Sequence, residues 1–354
     1  MSFAALLETL NSIIWSPALV FLCLAVGVYF TLTTLFLQVR CLPDMMRQIV
    51  SNKKSGSGVS SFESLMISLA GRVGVGNIAG VATAIAFGGP GAVFWMWAVA
   101  LLGSATSFIE CTLAQIYKEK DRDTGEYRGG PAYYIEKAYK HTRAGKFMLV
   151  YAVVFAVAMM LATSYFLPGI QANGVAAAMH NAWGTDVRIS AVVLGVLLAV
   201  IIMGGVRRIA NFASLVVPLM AVVYILASIV IMFVNFDRID DVFSLIFRSA
   251  FDREAMFSGM LGAAIMWGVK RGIYSNEAGQ GTGPQSAAAA EVSHPAKQGF
   301  VQAFAVYVDT LFVCSATAFI IISTDMYKVF ENQSEDGAVR YAGKLSSKDR
   351  KSVV

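Results

Sequence analysis

The sequence predicts an all-α polytopic membrane protein, and three observations carry that prediction. The 354 residues are 56% hydrophobic and only 14% charged, whereas a soluble domain averages roughly 25% charged residues. Mean hydropathy is +0.62. The apolar residues gather into eight segments, 13–38, 64–87, 91–117, 147–180, 188–205, 210–235, 257–290 and 300–323. Crossing a bilayer as a helix takes about 20 residues, and a helix satisfies its own backbone groups in lipid.

Orientation follows from Lys and Arg in alternate loops, because cytoplasmic loops carry the excess. The loops 40–54, 118–146, 206–209 and 291–299 hold fifteen, and the opposite loops 88–91, 181–188 and 236–256 hold four. The first set is therefore expected in the cytoplasm and the N-terminus outside. The net charge of +5 then reflects membrane orientation and calls for no nucleic-acid partner. The first segment is not expected to be a cleavable leader. No Lys or Arg precedes residue 40, the apolar run is too long, and no A-x-A site follows. Cys23, Cys41, Cys111 and Cys314 stand singly, as do His141, His180 and His294. Neither a disulfide framework nor a metal cluster is suggested. An enzyme working inside the bilayer would need a nucleophile with a base, or a metal set, and the sequence offers no such grouping.

Two segments are interrupted. Gly71-Arg72-Val73-Gly74-Val75-Gly76-Asn77-Ile78-Ala79-Gly80 puts four glycines in ten residues at bilayer depth, and Gly268–Gly283 repeats the interruption. Paired Gly-broken segments in matching positions of two halves point to a secondary transporter's binding site. Five spans run from the first break to the segment before the second, an odd number. The second run therefore starts with opposite orientation, as an inverted repeat requires. Only two helices of that second run are present. The organisation expected is an extra N-terminal helix and cytoplasmic loop over 1–62, a first repeat over 63–235 and the start of a second over 236–323. A polar tail over 324–354 completes it.

Gly74–Ala79 fits a nucleotide-loop pattern, but the run before it belongs to a membrane span and no acid follows until Glu110. Small-residue packing from Gly76 to Gly80 leaves Gly71, Gly74 and Asn77 unexplained. An unwound turn there would present amide N–H groups to a carboxylate, while its carbonyl oxygens could hold an ammonium or Na⁺. In the second break, Lys270, Arg271 and Glu277 sit at membrane depth, where a lone charge costs about 2.5–3.5 kcal/mol on insertion scales. They are expected to pair with one another, cap broken ends or line a cavity. Of the other deep acids, Glu110 and Asp309, the latter is expected to influence the coupling cation or to pair with Lys270 or Arg271, the pairing being favoured. Gly88-Gly89-Pro90-Gly91 reads as a tight outer turn, and Arg128-Gly129-Gly130-Pro131 as a bend before an interfacial helix.

GRVGVGNIAGVATAIAFGGPGAVFWMW, ATSFIECTLAQIYK, RGGPAYYI, QANGVA and RGIYSNEAGQGTGPQSAAAA occur in that order. Together they resemble the alanine/glycine:cation symporter family, the sodium:alanine symporters, from about Leu7 to about Tyr327. The resemblance implies a leucine-transporter-like five-plus-five inverted repeat with an extra N-terminal helix, here with an incomplete second repeat. It also implies Na⁺-coupled symport of alanine or glycine across the plasma membrane by alternating access, with Na⁺ as coupling ion and no other cofactor. Gly74, Val75, Gly76, Asn77 and Ile78 would hold the substrate's carboxylate and amine. Gln171 would be a polar substrate contact, Trp267 the wall limiting side-chain size, and Val175 a pocket floor where some members carry Phe. Part of a Na⁺ site would come from the backbone of Gly71 and Gly74, and the remainder from helices beyond this chain. A non-transporting fragment, and an H⁺-coupled or passive small amino-acid carrier, are the alternatives.

The C-terminus carries a further expectation. Asp349-Arg350-Lys351-Ser352-Val353-Val354 can be written in codons that match the start of a common sequencing adapter. The reading frame is therefore expected to end in adapter-derived residues, on a chain truncated before it can transport.

Overall fold

Val59 pairs with Ala290 through two backbone hydrogen bonds, Val59 N–H to Ala289 O at 3.1 Å and Glu291 N–H to Val59 O at 2.9 Å. This ties the entry of the first broken segment to the exit of the second, 231 residues later. The computed structural model describes residue 9 and residues 14–50, 58–254, 257, 259–331 and 338–344. The proposed adapter-derived end, the start of the chain and Lys53 and Lys54 lie outside them.

Helix α1 (Pro17–Thr33) opens on Pro17, whose fixed φ and missing N–H suit the first helical position. Short helices α2 (Leu37–Arg40) and α3 (Leu42–Val50) follow. Helix α4 (Ser61–Arg72) starts from a reciprocal cap: Glu63 N–H donates to Ser60 Oγ at 3.2 Å, and Ser60 N–H donates to Glu63 Oε2 at 2.6 Å. After a break the chain continues as a π-helical turn, Gly76–Gly80, and α5 (Val81–Gly88), bent 56° from α4. Gly89, at φ +72°, makes the outer turn before α6 (Ala92–Tyr117). A two-residue hairpin, β1 (Glu119–Lys120) with β2 (Tyr127–Arg128), leads into the short helix α7 (Pro131–Tyr139). Helices α8 (Gly145–Leu161) and α9 (Leu167–Trp183) are joined through the π-helical turn Ala162–Phe166.

Then come α10 (Val187–Ile202), α11 (Gly205–Val234) and the amphipathic α12 (Ile239–Ala250). Helix α13 (Leu261–Asn276) and α14 (Thr282–Ala289) flank the second break. Helix α15 (Pro295–Val306) runs through a π-helical segment, Tyr307–Cys314, into α16 (Ser315–Thr324). Beyond it, β3 (Lys328–Phe330) and β4 (Val339–Ala342) form a hairpin, and Val329 packs beside Ile85, Met96 and Phe257.

Among the described residues, four continuous helical runs are long and apolar enough to cross a bilayer: Ala92–Tyr117, Gly145–Trp183, Gly205–Val234 and Pro295–Thr324. A fifth is the bent pair Ser61–Arg72 with Gly76–Gly88, and Pro17–Thr33 and Val187–Ile202 are shorter apolar helices. The protein is membrane-embedded and multi-pass. Helix α6 is the spine, lying against α1, α13, α14 and α15. Buried fractions separate two halves: 61% of the α15–α16 span is covered, against 11% of the α8–α9 span and of α11. Both breaks belong to the covered half.

Candidate functional site at the two helix breaks

Helix α4 makes its last bond from Val73 N–H to Leu69 O, and Val73 then turns extended (ψ 105°). The next two amides find side-chain oxygens. Gly74 N–H donates to Asn77 Oδ1 at 2.8 Å, and Val75 N–H donates to Gln171 Oε1 at 2.9 Å. The amides that the sequence offers to a carboxylate are therefore held by the protein's own amide oxygens, which a ligand must displace. Glycine at 74 and 76 follows from close approach. A Cβ on Gly74 would lie 2.6 Å from Gln171 Oε1, and one on Gly76 would lie 3.2 Å from the Tyr274 ring.

Asn77 faces both ways. Its Nδ2 donates to Asp309 Oδ1 at 2.6 Å and lies 3.0 Å from Ser275 Oγ. Ser275 and Thr310 hydroxyls each donate to Asp309 Oδ2 at 2.8 Å. Asp309 is 0% exposed. Four ion pairs within 4.0 Å are found among the described residues, and all lie outside this cluster. The expected pairing of Asp309 with Lys270 or Arg271 is thus replaced by three hydrogen-bond donors. The π-helical turn at 307–314 is what brings the Asp309 carboxylate, the Thr310 hydroxyl and Cys314 to one place.

The second break is shorter than the glycines suggest. Helix α13 runs unbroken through Lys270 and Arg271 to Asn276, and only Glu277–Gly281 leaves helical geometry, with positive φ at Glu277 (54°), Gly279 (84°) and Gly281 (90°). Gly268 and Gly272 are packing residues inside α13. A Cβ on Gly268 would lie 2.5 Å from Ala92 O, and one on Gly272 would lie 2.7 Å from Val99 Cγ1. Lys270 and Arg271 do not pair with Glu277. Their charged groups sit 5.6 and 5.2 Å from the centre of the Trp267 ring, a cation–π arrangement. Glu277 instead accepts from the Thr282 hydroxyl, on the first turn of α14.

Glu277 and Arg72 line a cavity of about 280 Å³ together with Gly71, Gly76, Gln171, Tyr274 and Thr282. Arg72 is 2% exposed, donates from Nη1 to Gln302 O at 3.4 Å, and leaves Nε and Nη2 without a hydrogen-bond partner. Glu110 Oε1 accepts from Gly279 N–H at 3.1 Å. A larger cavity of about 470 Å³ between α1, α6 and the second break is mostly apolar.

At the end of α14, Gln115 Nε2 donates to Ala287 O and Ala290 O, and Lys118 Nζ donates to Ala290 O at 2.6 Å. These bonds satisfy carbonyls at the end of α14 that the helix itself cannot. Burial pushes the Lys118 ammonium down to about 8, against the attraction of Glu291.

The predicted residues are partly brought together. Gly74, Val75, Gly76, Asn77 and Gln171 meet at the first break. Ile78 is 53% exposed and Val175 is 39% exposed. Val175 follows Gly174, where a Cβ would meet Val75 Cγ2 at 2.5 Å. Trp267 packs against Phe87 with ring centroids 4.8 Å apart and the rings tilted by 44°, and is not among the lining of the 280 Å³ cavity. It lies two turns, about 10 Å, from Tyr274 along α13. Arg72, Ser275 and Thr310 escaped the sequence reading. Arg72 had a signal, since a cation at bilayer depth is costly wherever it occurs. Ser275 and Thr310 had none, because hydroxyls are common in membrane helices. His294 accepts from Ala296 N–H as the cap of α15, and His180 contacts Thr185 O.

Two discontinuous helices meeting at one buried polar cluster define a multi-pass membrane protein whose site is built on broken helices. The chain belongs to the sodium:alanine symporter family, whose model matches residues 1–346, a family of symporters and not of enzymes. YrbD of Bacillus subtilis is 55% identical over 335 residues, covering 95% of this chain and 67% of the relative. The sodium/proton-dependent alanine carrier protein of Bacillus sp. PS3 is 45% identical, covering 84% of this chain and 64% of the relative. The sodium/alanine symporter AgcS of Methanococcus maripaludis is 41% identical, covering 91% and 71%. The chain spans about two thirds of the length of these relatives.

Proposed function

We propose that this chain carries the substrate site and part of the ion site of a Na⁺-coupled symporter for alanine or glycine, working by alternating access in the plasma membrane with its N-terminus outside. The observation that carries this reading is Asn77. One side chain caps the amide-rich break through Oδ1 and, through Nδ2, holds the Asp309 carboxylate, which has no ion-pair partner within 4.0 Å among the described residues. A cation arriving beside Asp309 and a carboxylate arriving at Gly74 and Val75 would therefore each change the other's partner, which is the coupling a symporter needs.

In this mechanism the substrate carboxylate displaces Gln171 Oε1 from Val75 N–H, and the freed Gln171 amide turns to the substrate. Asp309, Ser275 and Thr310 supply hard oxygen atoms of the kind Na⁺ takes, and carbonyls of Gly71 and Gly74 supply others, with the remaining ligands from further helices. The larger architecture we propose is eight spans of a leucine-transporter-like inverted repeat, with Trp267 and Val175 bounding the side-chain pocket. One ion suffices energetically. A charge crossing ~100 mV yields ~2.3 kcal/mol and a ~10-fold gradient adds ~1.4 kcal/mol. Together these support roughly 500-fold accumulation of a zwitterion.

The test is binding of radiolabelled L-alanine to the purified chain in lipid nanodiscs across a Na⁺ titration, with uptake into proteoliposomes as the companion measurement. Binding that requires Na⁺, and that competing glycine removes, is expected. Binding indifferent to Na⁺ at constant pH and ionic strength would overturn the coupling, and a pH requirement in its place would favour H⁺.

A further inference from the structure

Arg72 and Glu277 are used by nothing in the mechanism above, yet they share the wall of one cavity of about 280 Å³. Arg72 is 2% exposed with Nε and Nη2 unpartnered. Leaving buried donors unmade costs about 1–3 kcal/mol each, more for charged groups, so this guanidinium is set up to receive an acceptor. Glu277, 8% exposed, has one hydrogen-bond donor, the Thr282 hydroxyl, and its Oε2 lies 3.9 Å from where a Cβ on Gly71 would be. Arg72 Nη2 and Glu110 Oε1 lie around the same Gly283, 2.8 and 3.9 Å from a Cβ built there. Arg72 therefore lies among acids, Glu110 and Glu277, without closing an ion pair within 4.0 Å to either. A group bringing an ammonium to Glu277 and a carboxylate to the open Arg72 N–H groups satisfies both deficits at once.

We propose that this cavity is a second amino-acid site on the α4 side of the first break, holding a zwitterion by its carboxylate on Arg72 and its ammonium on Glu277. The proposal rests on the amino-acid-symport reading and extends it. Gln171 lines the cavity and also holds Val75 N–H, so it stands at the boundary between the two sites. A substrate released from the break would pass to Arg72 and Glu277 before leaving, with Thr282 positioning the carboxylate.

The experiment counts radiolabelled L-alanine bound per chain by equilibrium dialysis of the full chain in nanodiscs at saturating Na⁺. Two molecules per chain are expected, with one retained by Glu277→Gln and one retained by Gln171→Leu. Thr282→Val removes only a hydroxyl and should weaken the second binding step tenfold or more. It serves as the readout should Glu277→Gln fail to fold. Alanine methyl ester, which keeps the ammonium and loses the carboxylate charge, should compete at least tenfold more weakly for the site left in Gln171→Leu. One alanine per chain, lost in Gln171→Leu and kept in Glu277→Gln, overturns the second site and leaves the symport reading standing. No alanine bound at all removes both.

Discussion

Replacing Asp309 with Asn tests the ion site most directly, because it removes the charge and keeps the shape. Asp309 is fully buried, and its partners are all neutral donors: Asn77 Nδ2 at 2.6 Å and the Ser275 and Thr310 hydroxyls at 2.8 Å. An Asn side chain can still accept from Asn77 and can donate to the two hydroxyl oxygens, so the fold should survive. The charge is another matter. Two unit charges 4 Å apart interact by about 4 kcal/mol at an effective dielectric constant near 20, which corresponds to roughly 10³ in cation affinity. The half-saturating Na⁺ concentration for alanine binding should therefore rise by two to three orders of magnitude in Asp309→Asn. Stability should move the opposite way. An unpaired buried charge costs several kcal/mol, so the variant should melt higher than the parent in Na⁺-free buffer. Both are measurable on one preparation, by dialysis of radiolabelled alanine over a Na⁺ series and by thermal denaturation. A half-saturation point moved by less than about threefold would refute the assignment. A lower melting temperature without Na⁺ would refute the claim that the lack of an ion-pair partner makes the buried carboxylate costly.

Three further outcomes follow from the same geometry. Gln171→Leu removes the amide that turns from Val75 N–H to the bound substrate, so alanine affinity at the break should fall about tenfold or more, as expected for losing a hydrogen bond near 1.5 kcal/mol, and the break site should drop out of a dialysis count made below that weakened affinity, while Na⁺ affinity stays put. Gly268→Ala places a Cβ 2.5 Å from Ala92 O and 2.6 Å from Trp95 Cβ, and overpacking of this kind costs about 1–3 kcal/mol. Its melting temperature should drop, whereas Gly262→Ala, with nothing within 4 Å, should melt as the parent does. Lys118 titrates near 8 in the folded chain against an ordinary value of 10.5. The unfolded state therefore binds more protons between those values, and stability should rise with pH from about 8 to 10.5. Lys118→Met should flatten that rise in a pH series of denaturation midpoints.

How much was legible in the sequence differs from residue to residue. The first break was legible because four glycines in ten residues weaken a helix in lipid, and the chain does leave helical geometry at Val73 and Gly74. The second break was placed too widely. Gly268 and Gly272 look identical to Gly279 and Gly281 in one dimension, but the first pair serves close packing against α6 and the second pair serves positive φ. The charges divided similarly. Glu277 does line a cavity, while Lys270 and Arg271 lie over Trp267, a choice that depends on which face of α13 meets α6.

The sequence by itself determined that this is an all-helical membrane protein, that a segment breaks near Gly74 and again near Glu277, and that it belongs with the sodium:alanine symporters. These follow from composition, span length and local backbone chemistry, which act along the chain. Only the tertiary structure decided that Asn77, Ser275, Asp309 and Thr310 form one cluster, that Gln171 occupies the Val75 amide, and that Arg72 meets Glu277 across a cavity. Those partners lie 96 to 232 residues apart for the hydrogen bonds of Val75 and Asn77 to Gln171, Ser275 and Asp309. Their meeting is set by helix packing and by the extra residue in each π-helical turn, and no local pattern encodes either.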